Sequence, residues 1–200
     1  MELLVATGNA HKLVELAPLF PGHRLRRPAE VGHPAFDVEE NGTTYIENAL
    51  IKARALYVLT GAPSLADDSG LAVHGLGGAP GVLSARYGSE DGKRKLESAD
   101  RNALLLKNCE ALEDRRCAFV CALALILDEE RLFVIQETCP GELLHAPRGS
   151  GGFGYDPIVF LPELGKSVAE LTQEEKNLVS HRGRAGRRMA SLLADLELAP

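Results

Sequence analysis

The stretch that most constrains how this chain folds is Ala66-Asp67-Asp68-Ser69-Gly70-Leu71. An apolar run from Ala62 to Ala66, broken by Pro63 and Ser64, closes on two adjacent carboxylates, and Ser and Gly follow at once. The pattern predicts a buried strand that ends in a tight turn and presents acids at its carboxyl end. Carboxylates so placed can hold a hard divalent cation such as Mg²⁺ or take a proton from water. An acidic surface turn would show the same residues, so the neighbouring stretches have to decide.

The chain opens with a short apolar run, Leu3 to Ala6, that meets Thr7-Gly8-Asn9. Such a run predicts a strand buried on both faces of a sheet covered by helices. Leu13, Val14, Leu16 and Ala17 then recur at helical spacing from His11 to about Leu19. In a strand–turn–helix unit of this kind, Gly8 lets a ligand approach the backbone and the first helical amides favour an anion, which Lys12 could also reach. A second strand and a polar loop occupy residues 23–40, and Thr43 or Thr44 caps a helix over 45–59. Asn48 and Lys52, four apart, share one face of that helix; with Glu47 they would ordinarily form its solvated side.

Further along, residues 90–111 read as a helix, and the runs Cys117–Leu127 and Leu132–Gln136 as an antiparallel hairpin, so the sheet is mixed and the class α/β. The Gly/Pro-rich stretch 75–81 leads into Ser84-Ala85-Arg86-Tyr87, and Arg148 to Pro157 sets Phe153 and Tyr155 among glycines. Exposed rings on a glycine scaffold suit stacking on a flat ligand. Thr172 and Glu175 form a capping box for a short helix carrying Lys176. Ser180 is placed to cap a last helix that begins His181-Arg182 and buries Ala185, Met189, Leu192, Leu193 and Leu196.

The 200 residues, 45% hydrophobic, suit one domain over 1–200 with an ample core, and a net charge of −6 argues against coating by nucleic acid. Arg184, Arg187 and Arg188 are expected to be a solvated basic face. The four cysteines form no C-x-x-C pair, and no signal peptide or membrane span is indicated, which suggests a cytoplasmic protein. Gly165-Lys166-Ser167 ends like a phosphate-binding loop, but the first required glycine falls on Phe160. A Ser69/His181/Asp triad lacks the G-x-S-x-G elbow.

Six motifs stand in order: Thr7-Gly8-Asn9-Ala10-His11-Lys12; Glu40-Asn41-Gly42 with Glu47-Asn48-Ala49 and Lys52-Ala53; Ala66 to Leu71; Gly78 to Gly81 with Ser84 to Tyr87; Gly152-Phe153-Gly154-Tyr155-Asp156-Pro157; and Lys176 with Ser180-His181-Arg182. Together they resemble the inosine triphosphate pyrophosphatase family, from residue 3 to about residue 190. The resemblance implies an elongated α/β fold with a central mixed sheet, two lobes with the active-site cleft between them, and a homodimer. It also implies Mg²⁺-dependent hydrolysis of ITP, dITP or XTP to the monophosphate and pyrophosphate. Carried over by motif, Thr7, Gly8, Asn9, Ala10, His11 and Lys12 hold the triphosphate. Asp68 is proton acceptor and metal ligand, Ser69 adjoins the substrate, and Phe153, Gly154, Tyr155, Asp156, Lys176, His181 and Arg182 form the nucleotide pocket.

The chemistry is arguable from the residues as well. Hydrolysis of a phosphoanhydride needs charge neutralisation and an in-line water more than covalent help. Mg²⁺ on Glu40 and Asp68 would neutralise phosphate oxygens, with Lys12, Lys52 and Lys176 as further cations and Asp67 or Asp68 orienting water. Donors from Ser180-His181-Arg182 would match the C6 oxygen of hypoxanthine or xanthine and oppose the amine of adenine. Two other readings use the same residues: a purine nucleotide sensor that does not hydrolyse its ligand, and a nucleic-acid contact through Arg182 to Arg188.

Overall fold

The computed structural model describes residues 1–89 and 95–198. Its strands form one mixed sheet in the order β2-β1-β3-β4-β5-β6-β7. These are β1 (Glu2–Val5), β2 (Arg24–Arg26), β3 (Ser64–Val73), β4 (Arg116–Ile126), β5 (Leu132–Leu143), β6 (Val159–Leu161) and β7 (Lys166–Ser167), with helices α1 (Ala10–Leu16), α2 (Tyr45–Thr60), α3 (Ser98–Asn108), α4 (Gln173–Val179) and α5 (His181–Leu198). β1 runs parallel to β2 and β3, whereas β6 runs antiparallel to β5 and β7. β4 and β5 are neighbours joined across Leu127 and Arg131, a connection too short for a parallel crossover, so they form the expected hairpin.

The chain divides into two compact units, each built from separated stretches. The first holds Met1–Asp68, Cys121–Glu137 and the residues from His181 on; the second holds Ser69–Val120 and Thr138–Ser180. In the first unit β1, the start of β3 and the 121–126 part of β4 are buried on both faces, and the period-two alternation sorts their side chains. Leu3, Val5, Leu65, Cys121, Leu123 and Leu125 pack with Leu16, Ala185, Met189 and Leu193 of α1 and α5. Leu4, Ala6, Ala66, Ala122, Ala124 and Ile126 pack with Ala49, Ala53 and Leu56 of α2. In the second unit Leu71, Val73, Leu105, Phe119, Leu143, Ile158 and Val168 form the core.

Several expectations meet a different structure. The acids do not end their strand: β3 continues for ten residues through Asp67, Asp68, Ser69 and Gly70. Gly70 can stay in the strand because it lies under the 81–86 turn. A Cβ there would come within 2.6 Å of the Gly81 carbonyl oxygen and closer still to Ser84 Oγ. On α1, Val14 is 62% exposed while Glu15 is buried at 4%, the reverse of the apolar reading, because Glu15 pairs with Arg182. The helix ends at Leu16, and a 3₁₀ turn takes Ala17–Leu19. The helix expected from residue 90 begins at Ser98; 90–94 lie outside the described residues, and Leu96 and Leu112 flank the helix. β5 extends seven residues beyond Gln136. Among the described residues no helix is long and apolar enough to cross a membrane.

Gly70→Ala is expected to destabilise the protein by about 1–3 kcal/mol, because the strand and the 81–86 turn must part to admit a methyl group. Urea unfolding measures this, and an unchanged midpoint would mean that the close approach is absent in solution.

Candidate active site

Asp67 and Asp68 are consecutive residues of one strand, so their side chains leave opposite faces of the sheet. Asp67 lies on the face of Leu65 and Cys121, covered by α1 and α5. There Arg182 Nε donates to its Oδ2 at 2.8 Å, the Cys121 thiol donates to the same oxygen at 3.1 Å, and Lys12 Nζ pairs with Oδ1. Arg182 in turn donates through Nη1 to Glu15 Oε2 at 2.5 Å. Two carboxylates thus meet two cations in a buried cluster that sums to neutrality. Burial alone would raise the Asp67 pKa, but Arg182 and Lys12 outweigh it and hold the carboxyl well below the usual range.

Asp68 lies on the face of Ala66, covered by α2. Its Oδ1 accepts from Lys52 Nζ at 2.8 Å and its Oδ2 from Asn48 Nδ2 at 3.4 Å. Lys52 Nζ also donates to Glu40 Oε2 at 2.8 Å. Here two carboxylates share the Lys52 ammonium, and the Lys12 charge acts on both from further away. Burial, only partly opposed by Lys52 and reinforced by hydrogen bonding with Glu40, pushes the Asp68 carboxyl up to about 6. Burial acts on Glu40 as well, but the Lys52 charge and the hydrogen bond with Asp68 prevail and lower its pKa. Lys52 loses basicity by burial and regains more from Asp68 and Glu40, so its pKa is raised.

α2 delivers its side chains because Thr44 and Glu47 form a capping box that fixes its start. Thr44 Oγ1 accepts from Glu47 N at 3.1 Å, and Glu47 Oε2 accepts from Thr44 N at 3.1 Å. Glu47 therefore belongs to the cap, whereas Asn48 and Lys52 are buried rather than solvated. At the other strand end, Asn9 Oδ1 caps α1 by accepting from His11 N, and Thr7 Oγ1 accepts from Asn9 N, both at 3.0 Å. Above Gly8 there is open space where a Cβ would stand.

In the second unit the 148–157 loop is pinned rather than freely exposed. Tyr155 is buried at 4%, and its hydroxyl donates to the Ser84 carbonyl at 2.8 Å. Phe153 is half-buried, with Lys176 Nζ 4.9 Å from its ring centroid. Asp156 Oδ2 accepts from Lys176 Nζ at 2.5 Å and from Phe153 N at 2.7 Å, and Gly152, at φ 69°, has no room for a Cβ beside that carboxylate. Of the two rings set among glycines, Phe153 stays partly exposed, whereas Tyr155 turns inward because its hydroxyl bonds a buried carbonyl. α4 starts at the expected Thr172–Glu175 box and carries Lys176 on its buried side.

The structure thus brings Lys12 and Arg182 together on Asp67, and Glu40 and Lys52 on Asp68. It groups Phe153, Tyr155, Asp156 and Lys176 in the second unit. Arg182, 2% exposed, directs its guanidinium to Asp67 and Glu15. Arg188 pairs with Glu137 at 2.7 Å. Glu15 and Cys121 are not legible in the sequence as members of the cluster; an acid at i+3 from Lys12 is the one signal for Glu15.

Removing Arg182 would leave Asp67 and Glu15 buried with a single cation, so Arg182→Leu is expected to destabilise by about 3–5 kcal/mol. Asp67, with its folded pKa depressed, contributes stability that is present above its unfolded value of about 3.9 and lost as pH falls below it. Asp67→Asn should therefore flatten the acid limb of the stability curve. Urea titrations from pH 3 to 7 test both, and an Asp67→Asn curve parallel to wild type would refute the depressed pKa.

A model of the Ham1 family matches residues 3–192. A dITP/XTP pyrophosphatase of Treponema denticola is 50% identical over 185 residues, covering 92% of this chain and 94% of that protein. One from Geobacillus kaustophilus is 46% identical over 187 residues, with 92% and 90% covered. The Staphylococcus aureus Ham1 protein superposes with a TM-score of 0.87 at 35% identity, over 98% of this chain and 100% of that one. The nucleoside-triphosphatase, dITP/XTP pyrophosphatase, of Mycobacterium abscessus gives a TM-score of 0.75 at 42% identity, over 96% and 99%. Matched along nearly its whole length, by sequence and by fold, the chain belongs to the Ham1 family.

Proposed function

We propose that this chain is a nucleoside-triphosphate pyrophosphohydrolase that cleaves dITP, XTP and ITP to the nucleoside monophosphate and pyrophosphate. Relatives at 43–50% identity carry the name dITP/XTP pyrophosphatase, which supports the substrate class. The observation that carries the mechanism is the division of labour between the paired aspartates. Asp67 is locked in a neutral ion cluster, whereas Asp68 has a carboxyl poised at about 6 beside Lys52 and Glu40. That is the range of a general base working near neutral pH. Asp68 accepts a proton as water adds to phosphorus, and pyrophosphate leaves with the bond electrons. Lys12, 15% exposed while its partner Asp67 is fully buried, stands at the edge of that cluster, where a phosphate oxygen could reach its ammonium.

Mg²⁺ fits this set by donor chemistry. Glu40 Oε2 and Asp68 Oδ1, both hard oxygens, already converge on one cation, the Lys52 ammonium. Among the described residues no group of three or more His, Cys, Asp or Glu is arranged to hold a metal. Two carboxylates suffice for an ion that arrives with water and phosphate oxygens. When bound, the ion neutralises phosphate charge and acidifies water. Glu40 and Asp68 would hold it, with the Lys52 ammonium beside both carboxylates.

Phe153 supplies the stacking face for a purine. Lys176, over that ring and paired with Asp156, belongs with the base rather than the phosphates. A donor there suits the C6 oxygen of hypoxanthine and xanthine, and a mismatched buried donor can discriminate by roughly 10⁴ at best. Arg182 serves through Asp67 in this reading, not as a direct reader of the base. The family resemblance supports a homodimer in the cytoplasm, and sedimentation at twice the chain mass would agree with it.

Pyrophosphate release from ITP, dITP, XTP, ATP and GTP, with and without Mg²⁺, is the direct test; equal turnover of all five would refute the selectivity. Asp68→Asn should lower kcat by about 10²-fold or more with the fold intact. Turnover near wild type would take Asp68 out of the chemistry. Because the ion has to displace a proton from Asp68, Mg²⁺ affinity by calorimetry should fall as pH drops through about 6. An affinity flat from pH 7 to 5 would remove Asp68 from the ligand set.

A further inference from the structure

Helix α3 carries two adjacent buried polar residues, Arg101 and Asn102, that the reaction described above does not use. Asn102 Nδ2 donates to the Gly154 carbonyl at 2.9 Å, and the Arg101 guanidinium carbon stands 5.3 Å from the Tyr155 ring centroid. Tyr155 is fastened at its far end by its hydroxyl on the Ser84 carbonyl, and Ser84 Oγ accepts from Leu71 N of β3 at 2.8 Å. Gly154 and Tyr155 lie between Phe153 and Asp156 in sequence, so the two fastenings grip the segment that offers the stacking ring and the Asp156–Lys176 pair.

A segment with glycines at 149, 151, 152 and 154 has many backbone states when unconstrained. If ligand binding had to order it, that loss of freedom would appear as weaker affinity; ordering it during folding removes the penalty from binding. Fold stability alone accounts poorly for the choice of residue. Asn102 is 3% exposed, and its amide oxygen has no hydrogen-bond partner among the described residues, so an apolar side chain would suit the core better.

We propose that Asn102 is a positioning residue for purine recognition: by holding the Gly154 carbonyl it keeps Phe153 and the Asp156–Lys176 pair in binding geometry, with the Ser84–Tyr155 bond as the second fastening. The inference rests on the assignment of the 153–156 segment to the base in the proposed function.

Asn102→Leu, of similar volume, and the isosteric Tyr155→Phe each remove one fastening. Each is expected to raise KM for ITP about tenfold with kcat changed less than about twofold, and to narrow the preference for ITP over ATP. Asn102→Gln, which keeps the amide donor, should recover part of the loss. Asn108→Ala, on the same helix but bonded to the exposed Tyr87 hydroxyl, is the control and should leave KM unchanged. If Asn102→Leu does not fold, Tyr155→Phe carries the test. KM and base preference unchanged in the variants, or losses that follow melting temperature alone, would overturn the proposal. A wild-type protein inactive on ITP would instead sink the proposed function; an active one whose variants keep their KM would sink only this inference.

Discussion

Two neighbouring carboxylates on a single strand have to part company, because the pleat sends successive side chains to opposite faces. Both ion clusters depend on that separation. Asp67 meets α1 and α5, which bring one cation for each acid, counting Glu15. Asp68 meets α2, which brings a single ammonium for two acids. The same residue type, one position apart, is held strongly ionised on one face and made ready to hold a proton on the other. Local charge balance decides the difference, since both groups are buried and burial alone would push both the same way.

The two clusters also differ in what their loss would do. A buried ion cluster summing to zero is a poor source of net stability compared with apolar packing, yet breaking it strands a charge. Arg182 is therefore tied to the fold through Asp67 and Glu15 before any ligand is considered. The Glu40–Lys52–Asp68 set differs in that Glu40 is partly exposed, so it is less deeply committed to the core than the Arg182 cluster.

Much of the fold was legible in the sequence because it rests on local rules. The doubly buried strand at Leu3, the cap at Thr43 or Thr44, the capping box at Thr172 and the hairpin around residues 128–131 each follow from patterns a few residues long. What escaped depends on partners far away in sequence. Asp67-Asp68-Ser69-Gly70 looked like a turn because adjacent acids next to a glycine seldom lie inside a strand. They do so here since Arg182 lies 115 positions off and Lys52 is 16 off. Val14 and Glu15 exchanged their expected faces for the same reason. Tyr155 went inward because a carbonyl 71 positions away was waiting for its hydroxyl.

The bond between Arg182 and Glu15 spans 167 positions, and it joins a helix made early to one made late. While the polypeptide is emerging from the ribosome, the first unit holds two anionic side chains whose guanidinium counterpart has not yet been synthesised. The two units are thus interleaved along the chain, and the first is completed by α5, which follows Ser180, the last residue of the second. Translation therefore delivers the last side chain of the buried ion cluster near the end of synthesis.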